Sequence, residues 1–126
     1  MDIESYRAFC LSLPGTEERL PFGPGALVFF VMDKMYALVD LDEFSMINLK
    51  CDPVKALELR EQHEFVRPGY HMNKKHWNSI RMDIPGRPVP EAFLREWTLH
   101  SYGLVVSKLS KKNRELLDTT SGNNWG

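Results

Sequence analysis

Apolar positions along the chain change their period several times, and the changes mark the elements. Ile3, Tyr6, Cys10 and Leu13 recur at helical spacing, which predicts a first helix with one apolar face. Asp2 stands where an N-cap belongs, and Pro14-Gly15 ends the run. Residues 16–25 carry Pro21, Gly23, Pro24 and Gly25 and predict a connector. Residues 26–32 and 35–40 are strand-sized apolar runs separated by Asp33-Lys34, the spacing of a two-residue hairpin. Leu41-Asp42-Glu43 turns the chain into a third strand over residues 44–50. Phe44, Met46 and Leu49 break strict alternation there, so the pattern leaves its core face open.

Asp52-Pro53 is a strong helix start, a capping carboxylate followed by proline at the first helical position. The second helix is expected to run to residue 62, with Glu58, Arg60, Glu61 and Gln62 in solvent. Residues 65–70 suit a short strand broken by Pro68-Gly69, and residues 77–83 another, with Trp77, Ile80 and Met82 packing inward. After a turn at Pro85-Gly86, residues 88–117 form the longest element, a helix opened by Pro90 and Glu91. Phe93, Trp97, Leu104, Val105 and Leu109 give it an apolar stripe. Lys108, Lys111, Lys112 and Arg114 crowd its expected last turns, where positive charge suits the helix dipole. Residues 1–118 are expected to be one domain and residues 119–126, small and polar, a flexible tail. The order α-β-β-β-α-β-β-α predicts an α+β fold, a two-layer sandwich with helices on one face of a meandering antiparallel sheet.

Composition agrees with one globular domain: 126 residues, 43% hydrophobic and 26% charged, enough chain for a core without disulfides or metals. Cys10 and Cys51 form no CxxC pair and read as free thiols in a reducing compartment. No apolar run approaches the roughly 18–20 residues of a membrane span. The opening Met-Asp-Ile-Glu is acidic and lacks an apolar signal region. The expectation is a cytoplasmic protein with no membrane partner.

A net charge of −1 argues against strong non-specific nucleic-acid binding. The halves differ, however. Residues 1–62 hold 6 Lys/Arg against 11 Asp/Glu, net −5, whereas residues 63–126 hold 10 against 6, net +4, with all four histidines. That asymmetry permits a positive face.

The sharpest candidate chemistry lies in residues 71–78. Lys74 and Lys75 suit phosphates, Asn73 and Asn78 can hydrogen-bond base edges, and Tyr70, His76 and Trp77 can stack on a ligand. Against this stands a structural role, with Tyr70 and Trp77 in the core and Asn73 and His76 tying down a loop. Between the third strand and the second helix, Lys50 and backbone N–H groups suit an anion, although Asp52 competes for the cap. Cys51 beside a helix N-terminus is a candidate thiolate with His71 or His76 as base, but no further triad member stands out. His71 and His76 are five apart, off the spacing of helical zinc pairs, so no metal and no cofactor is expected. Asp40, Asp42 and Glu43 read as a solvated turn.

Three segments carry a family resemblance: Cys10-Leu11-Ser12-Leu13-Pro14-Gly15, Ile47-Asn48-Leu49-Lys50-Cys51-Asp52-Pro53, and the long run from Pro68-Gly69-Tyr70-His71-Met72 through Asn73-Lys74-Lys75-His76-Trp77-Asn78. Together they make residues 2–117 resemble the MmcQ/YjbR family of small, mostly uncharacterised proteins. The resemblance implies an α-β(3)-α-β(2)-α layout similar to secretion chaperones, and a DNA-binding description that rests on a winged arrangement more than on chemistry. Such proteins commonly carry Gly where this chain has Asp33-Lys34.

The leading expectation is therefore a non-enzymatic DNA-binding module. Lys50, Arg67, Lys74 and Lys75 would position phosphates, and His71, Asn73, His76 and Trp77 would lie nearer the bases. The first alternative is a protein- or peptide-binding, chaperone-like module, dimeric through Phe22, Phe29, Phe30 and Tyr36 as exposed apolar groups. The second is a small-molecule binder or enzyme with a pocket near Cys51, His71 and His76.

Overall fold

The computed structural model describes residues 1–121. Helix α1 (Ile3–Ser12) starts on Asp2, whose carboxylate accepts the Ser5 N–H at 2.8 Å, and buries Tyr6 and Cys10. Strands β1 (Thr16–Arg19), β2 (Ala26–Val31), β3 (Lys34–Asp40) and β4 (Met46–Lys50) follow. Helix α2 (Pro53–Gln62) starts as expected, the Asp52 carboxylate accepting the Lys55 N–H at 3.1 Å. Strands β5 (Val66–Pro68) and β6 (Trp77–Arg81) precede helices α3 (Glu91–Ser107) and α4 (Lys111–Ser121). The six strands form one antiparallel sheet in the order β1-β2-β3-β4-β6-β5.

Alternation along the strands sorts the sheet into two faces. Leu27, Phe29, Val31, Ala37, Val39, Ile47, Leu49 and Ile80 join Tyr6, Cys10, Ala56, Leu59, Leu94, Tyr102 and Val105 in one core. The expected α+β sheet with helices on one face is what the chain forms. Ala26, Val28, Leu38, Met46, Asn48 and Ser79 point the other way, where none of the described helices lies. Tyrosine hydroxyls tie the elements together: Tyr6 of α1 bonds Thr98 of α3 at 2.9 Å, and Tyr36 of β3 bonds Thr16 of β1 at 2.9 Å and donates to the Cys10 carbonyl of α1 at 3.3 Å.

Four expectations need correction. The connector over residues 16–25 contains a strand: Thr-Glu-Glu-Arg pairs with β2 as a charged edge, held by the Arg7–Glu18 and Arg19–Asp33 ion pairs. Charges blunt an edge strand without preventing it from pairing, which hides it from a hydrophobic pattern. The hairpin turn is Met32-Asp33, one residue earlier than expected; both have positive φ, 48° and 62°, as a type I′ turn requires even without glycine.

The last long helix breaks at Lys108–Ser110, where the Ser110 hydroxyl accepts the Asn113 N–H at 3.1 Å and restarts the chain as α4. The bend buries both Leu109 and Leu117. Leu117 reaches its place over Gly15, where any Cβ would meet its Cδ1. Lys111 and Lys112 therefore stand in the first turn of α4, where they oppose the dipole rather than complement it. Finally, Phe29 and Tyr36 are fully buried and Phe30 is half-buried, so of the four apolar groups named as exposed only Phe22 is, at 67%. Most of the expected tail lies outside the described residues.

One contact joins the layers. Pairing of β3 with β4 stops at Ala37↔Leu49, and the next opposed pair would be Tyr36 and Lys50. There the fully buried Ser101 hydroxyl donates to the Tyr36 carbonyl at 2.5 Å and accepts the Lys50 N–H at 3.0 Å. Ser101→Ala strips both backbone groups of their partner, so unfolding in urea should show a loss of about 1–3 kcal/mol. A midpoint and slope unchanged from wild type would mean that the strands can close without the hydroxyl.

Candidate functional site

The helix-free face of the sheet is hollow. Ala26, Met35, Leu38, Met46 and Asn48 form its floor, Phe22 stands on one side, and Tyr70, His71, Met72 and Asn73 wall the other, around a volume of about 520 Å³. That volume lies within the range of small-molecule pockets, and its lining is as apolar as theirs.

The wall is held by hydrogen bonds from both ends. Asn48 and Ser79 face each other across β4 and β6. The Ser79 hydroxyl donates to Asn48 Oδ1 at 2.5 Å and accepts the Tyr70 N–H at 2.8 Å, fixing the loop to the sheet. Lys74 Nζ closes the loop on the Gly69 carbonyl at 3.1 Å, and Asn73 Oδ1 accepts the Lys75 N–H at 3.0 Å. On the far side Arg60 donates from Nε to Asn78 Oδ1 at 2.7 Å and from Nη2 to the Lys74 and Trp77 carbonyls. Arg60, expected in solvent, is thus half-buried as a clamp. Gly69 lies against Trp77, where a Cβ would sit 2.9 Å from the Trp77 carbonyl oxygen. His71 has φ 56°, left-handed backbone for a residue with a Cβ, which costs on the order of 1–3 kcal/mol. Its ring lies 4.1 Å from that of Tyr70.

The sequence-derived site residues separate into groups. His71 and Asn73 line the hollow. Lys74 and Lys75 are exposed beside Val54, Leu57 and Arg60 of α2. Lys50 lines a different cavity with Lys34 and Lys108. Arg67 is exposed on the edge strand β5 and donates to the Glu64 carbonyl at 2.8 Å. Trp77 is 9% exposed and packs as a strand residue. The His76 carbonyl accepts the Cys51 N–H at 2.8 Å, but His71 lies across the sheet in the hollow. Burial, with Asp52 adding to it, pushes the Cys51 thiol up to about 11, so the depressed value expected at a helix start is not met. Asn48, Ser79 and Arg60 carry the wall and were given no role from the sequence; polar residues at buried strand positions are the signal that points to the first two. Among the described residues no group of three or more His, Cys, Asp or Glu could hold a metal, and no helix is long and apolar enough to cross a membrane.

Fold and site together define a small α+β protein with one helix-covered sheet face and one hollow face. The chain belongs to the YjbR family, whose model matches residues 11–104. It is 40% identical over 113 residues to the uncharacterised protein YbdF of Escherichia coli O157:H7, covering 89% of this chain and 90% of that one. It is 30% identical over 118 residues to the uncharacterised protein YjbR of Escherichia coli K12, covering 93% and 98%. The crystal structure of Deinococcus radiodurans protein DR2400 superposes with a TM-score of 0.81 at 39% identity, covering 91% and 86%. A Pseudomonas syringae protein shares the fold at a TM-score of 0.67 and 24% identity, covering 82% and 98%.

A pH dependence is expected at the start of α2. His100 Nε2 accepts the Asp52 N–H at 3.2 Å. Burial, then Lys55, holds the imidazole below its ordinary value of 6.5, against Asp52 and Glu96. The folded value is lower than the unfolded one, so the unfolded chain binds more protons between them. The stability that His100 contributes is present above 6.5 and is lost as pH falls toward the folded value. Urea midpoints measured above and below 6.5 should therefore fall more in wild type than in His100→Gln. Equal falls would show that protonation of His100 is not coupled to folding.

Proposed function

We propose that this protein is a non-enzymatic binding module holding a small, predominantly apolar organic molecule in the hollow on the helix-free sheet face. The single observation behind this is that the uncovered face is a walled concavity of about 520 Å³ rather than a flat solvated sheet. A molecule of that size would bury its body on Met35, Leu38 and Met46, with Asn73 and the strained His71 at the rim to fix its orientation. The wall's hydrogen bonds to Ser79 and Arg60 support a preformed site, which lowers the ordering cost of binding.

DNA is the second reading, favoured by the exposure of Lys74 and Lys75. Set against it, Lys50, Arg67 and the Lys74–Lys75 pair border different parts of the molecule. Two titrations separate the readings. The neutral fluorophore N-phenylnaphthylamine should brighten on binding wild type and fail to do so with Leu38→Gln, while Lys74→Ala/Lys75→Ala binds it normally. Labelled duplex DNA titrated at several salt concentrations tests the other: four phosphate contacts give a log–log slope of about −3.6. Such a slope, lost in the double lysine variant, with no brightening of the fluorophore, would replace the hollow with the DNA surface.

A further inference from the structure

A second cavity, of about 380 Å³, opens where β3 and β4 part around Ser101. Three lysines from three elements line it. Lys34 opens β3, Lys50 closes β4, and Lys108 follows the last turn of α3. Ser110 and Asn113, at the start of α4, complete the polar part of its lining. We propose that this cavity binds the phosphate group of a small phosphorylated molecule, with the three ammonium groups as its ligands.

Charge carries the argument. Among the described residues the ion pairs are made by arginines, and none joins Lys34, Lys50 or Lys108 to a carboxylate. Burial holds the Lys50 amine below its ordinary value, and the neighbouring Lys108 and Lys34 lower it further. Three like charges facing one space, with no carboxylate among the described residues paired to them, repel one another, and an anion relieves that cost. Lys111 and Lys112 in the first turn of α4, and the positive end of its dipole, add to the same field. A single carboxylate would leave most of this charge uncompensated, whereas a phosphate monoester offsets more than half of it and a diphosphate about all of it. The volume exceeds what the anionic group alone needs, leaving room for part of the molecule that carries it. None of this depends on the hollow, although Met35 lines both.

The test is calorimetric titration of the full chain with inorganic pyrophosphate and inorganic phosphate at constant ionic strength, together with thermal melting without added anion. Pyrophosphate should bind wild type more tightly than phosphate. Lys108→Gln, whose side chain is exposed and whose loss leaves the core intact, should weaken pyrophosphate about tenfold or more, and Lys50→Gln likewise. Without anion both variants should melt above wild type, because repulsion has been relieved. Labelled duplex DNA identifies the source of the phosphate: displacement by pyrophosphate in wild type, lost in Lys50→Gln, assigns it to a nucleic-acid backbone in this cavity. No heat with pyrophosphate, equal affinity in the variants, or variants that melt below wild type would each overturn the proposal.

Discussion

The Ser101 hydroxyl between β3 and β4 is the contact on which most of the architecture turns. A sheet and a helix layer are normally joined by apolar side chains, which tolerate sliding because dispersion and burial are non-directional. A hydroxyl that replaces a ladder hydrogen bond is directional and fixes α3 in register against two central strands. Tyr102, one residue on, meets Tyr36 edge-on with ring centroids 5.3 Å apart. Tyr36 in turn donates to the Cys10 carbonyl of α1. Helix α1, the central strands and α3 are thus connected through one short polar path inside an apolar core. Every buried side-chain polar atom along that path is satisfied, as a low-dielectric interior demands.

The same insertion has a geometric cost that the fold turns into a feature. Parting β3 from β4 opens the end of the sheet, and α3 must bend away at Lys108–Ser110 for Leu109 and Leu117 to reach the core. The bend places a helix start, with its positive dipole end, beside two strand-terminal lysines. On the other face, placing all the described helices on one side leaves Ala26, Leu38 and Met46 without a partner layer. The connector with Phe22 and the clamped loop with Tyr70 to Asn73 shield them only in part. Both concavities therefore follow from how a two-layer fold handles its uncovered positions.

The fold was legible wherever a local physical rule was strong. Asp2 and Asp52-Pro53 set helix starts through capping chemistry that needs no tertiary context, and the long apolar runs of β2 and β3 could only be strands. The charged β1 was not legible, because its pairing depends on β2 lying beside it and not on its own pattern. The break before α4 was hidden because Ser110 is an ordinary helix residue unless burial of Leu117 forces a restart. At the site, residues 71–78 stood out as an unusual segment, but its composition did not reveal how its groups would divide. Lys74 turns its ammonium to a carbonyl of its own loop, and Trp77 is used up as packing. Asn48 and Ser79 looked unremarkable singly; only the β4–β6 register makes them a pair.

Several residues here break a local rule. His71 adopts left-handed backbone, Asn48 and Ser79 occupy buried strand positions, Lys111 and Lys112 oppose a helix dipole, and Lys50 faces two like charges. A design for stability alone would place glycine at the first, apolar pairs at the second and acidic or neutral side chains at the others. Exceptions of this kind, when scattered, are the residue of drift; when they cluster, they mark positions held by something other than stability. In this chain His71 and Asn48 line the hollow, Ser79 anchors its wall, and Lys50 lines the second cavity with the lysine-bearing turn of α4 beside it. The helix-covered side has exceptions of its own, but they are met locally: Phe44, at φ 50°, packs its ring against Tyr6, and the buried Asn78 is bonded by Arg60 and to the Ala56 carbonyl. At the two concavities the exceptions instead border open volumes of about 520 and 380 Å³, and that is the physical reason to look for ligands there and not at Cys51 or along the exposed lysines of the loop.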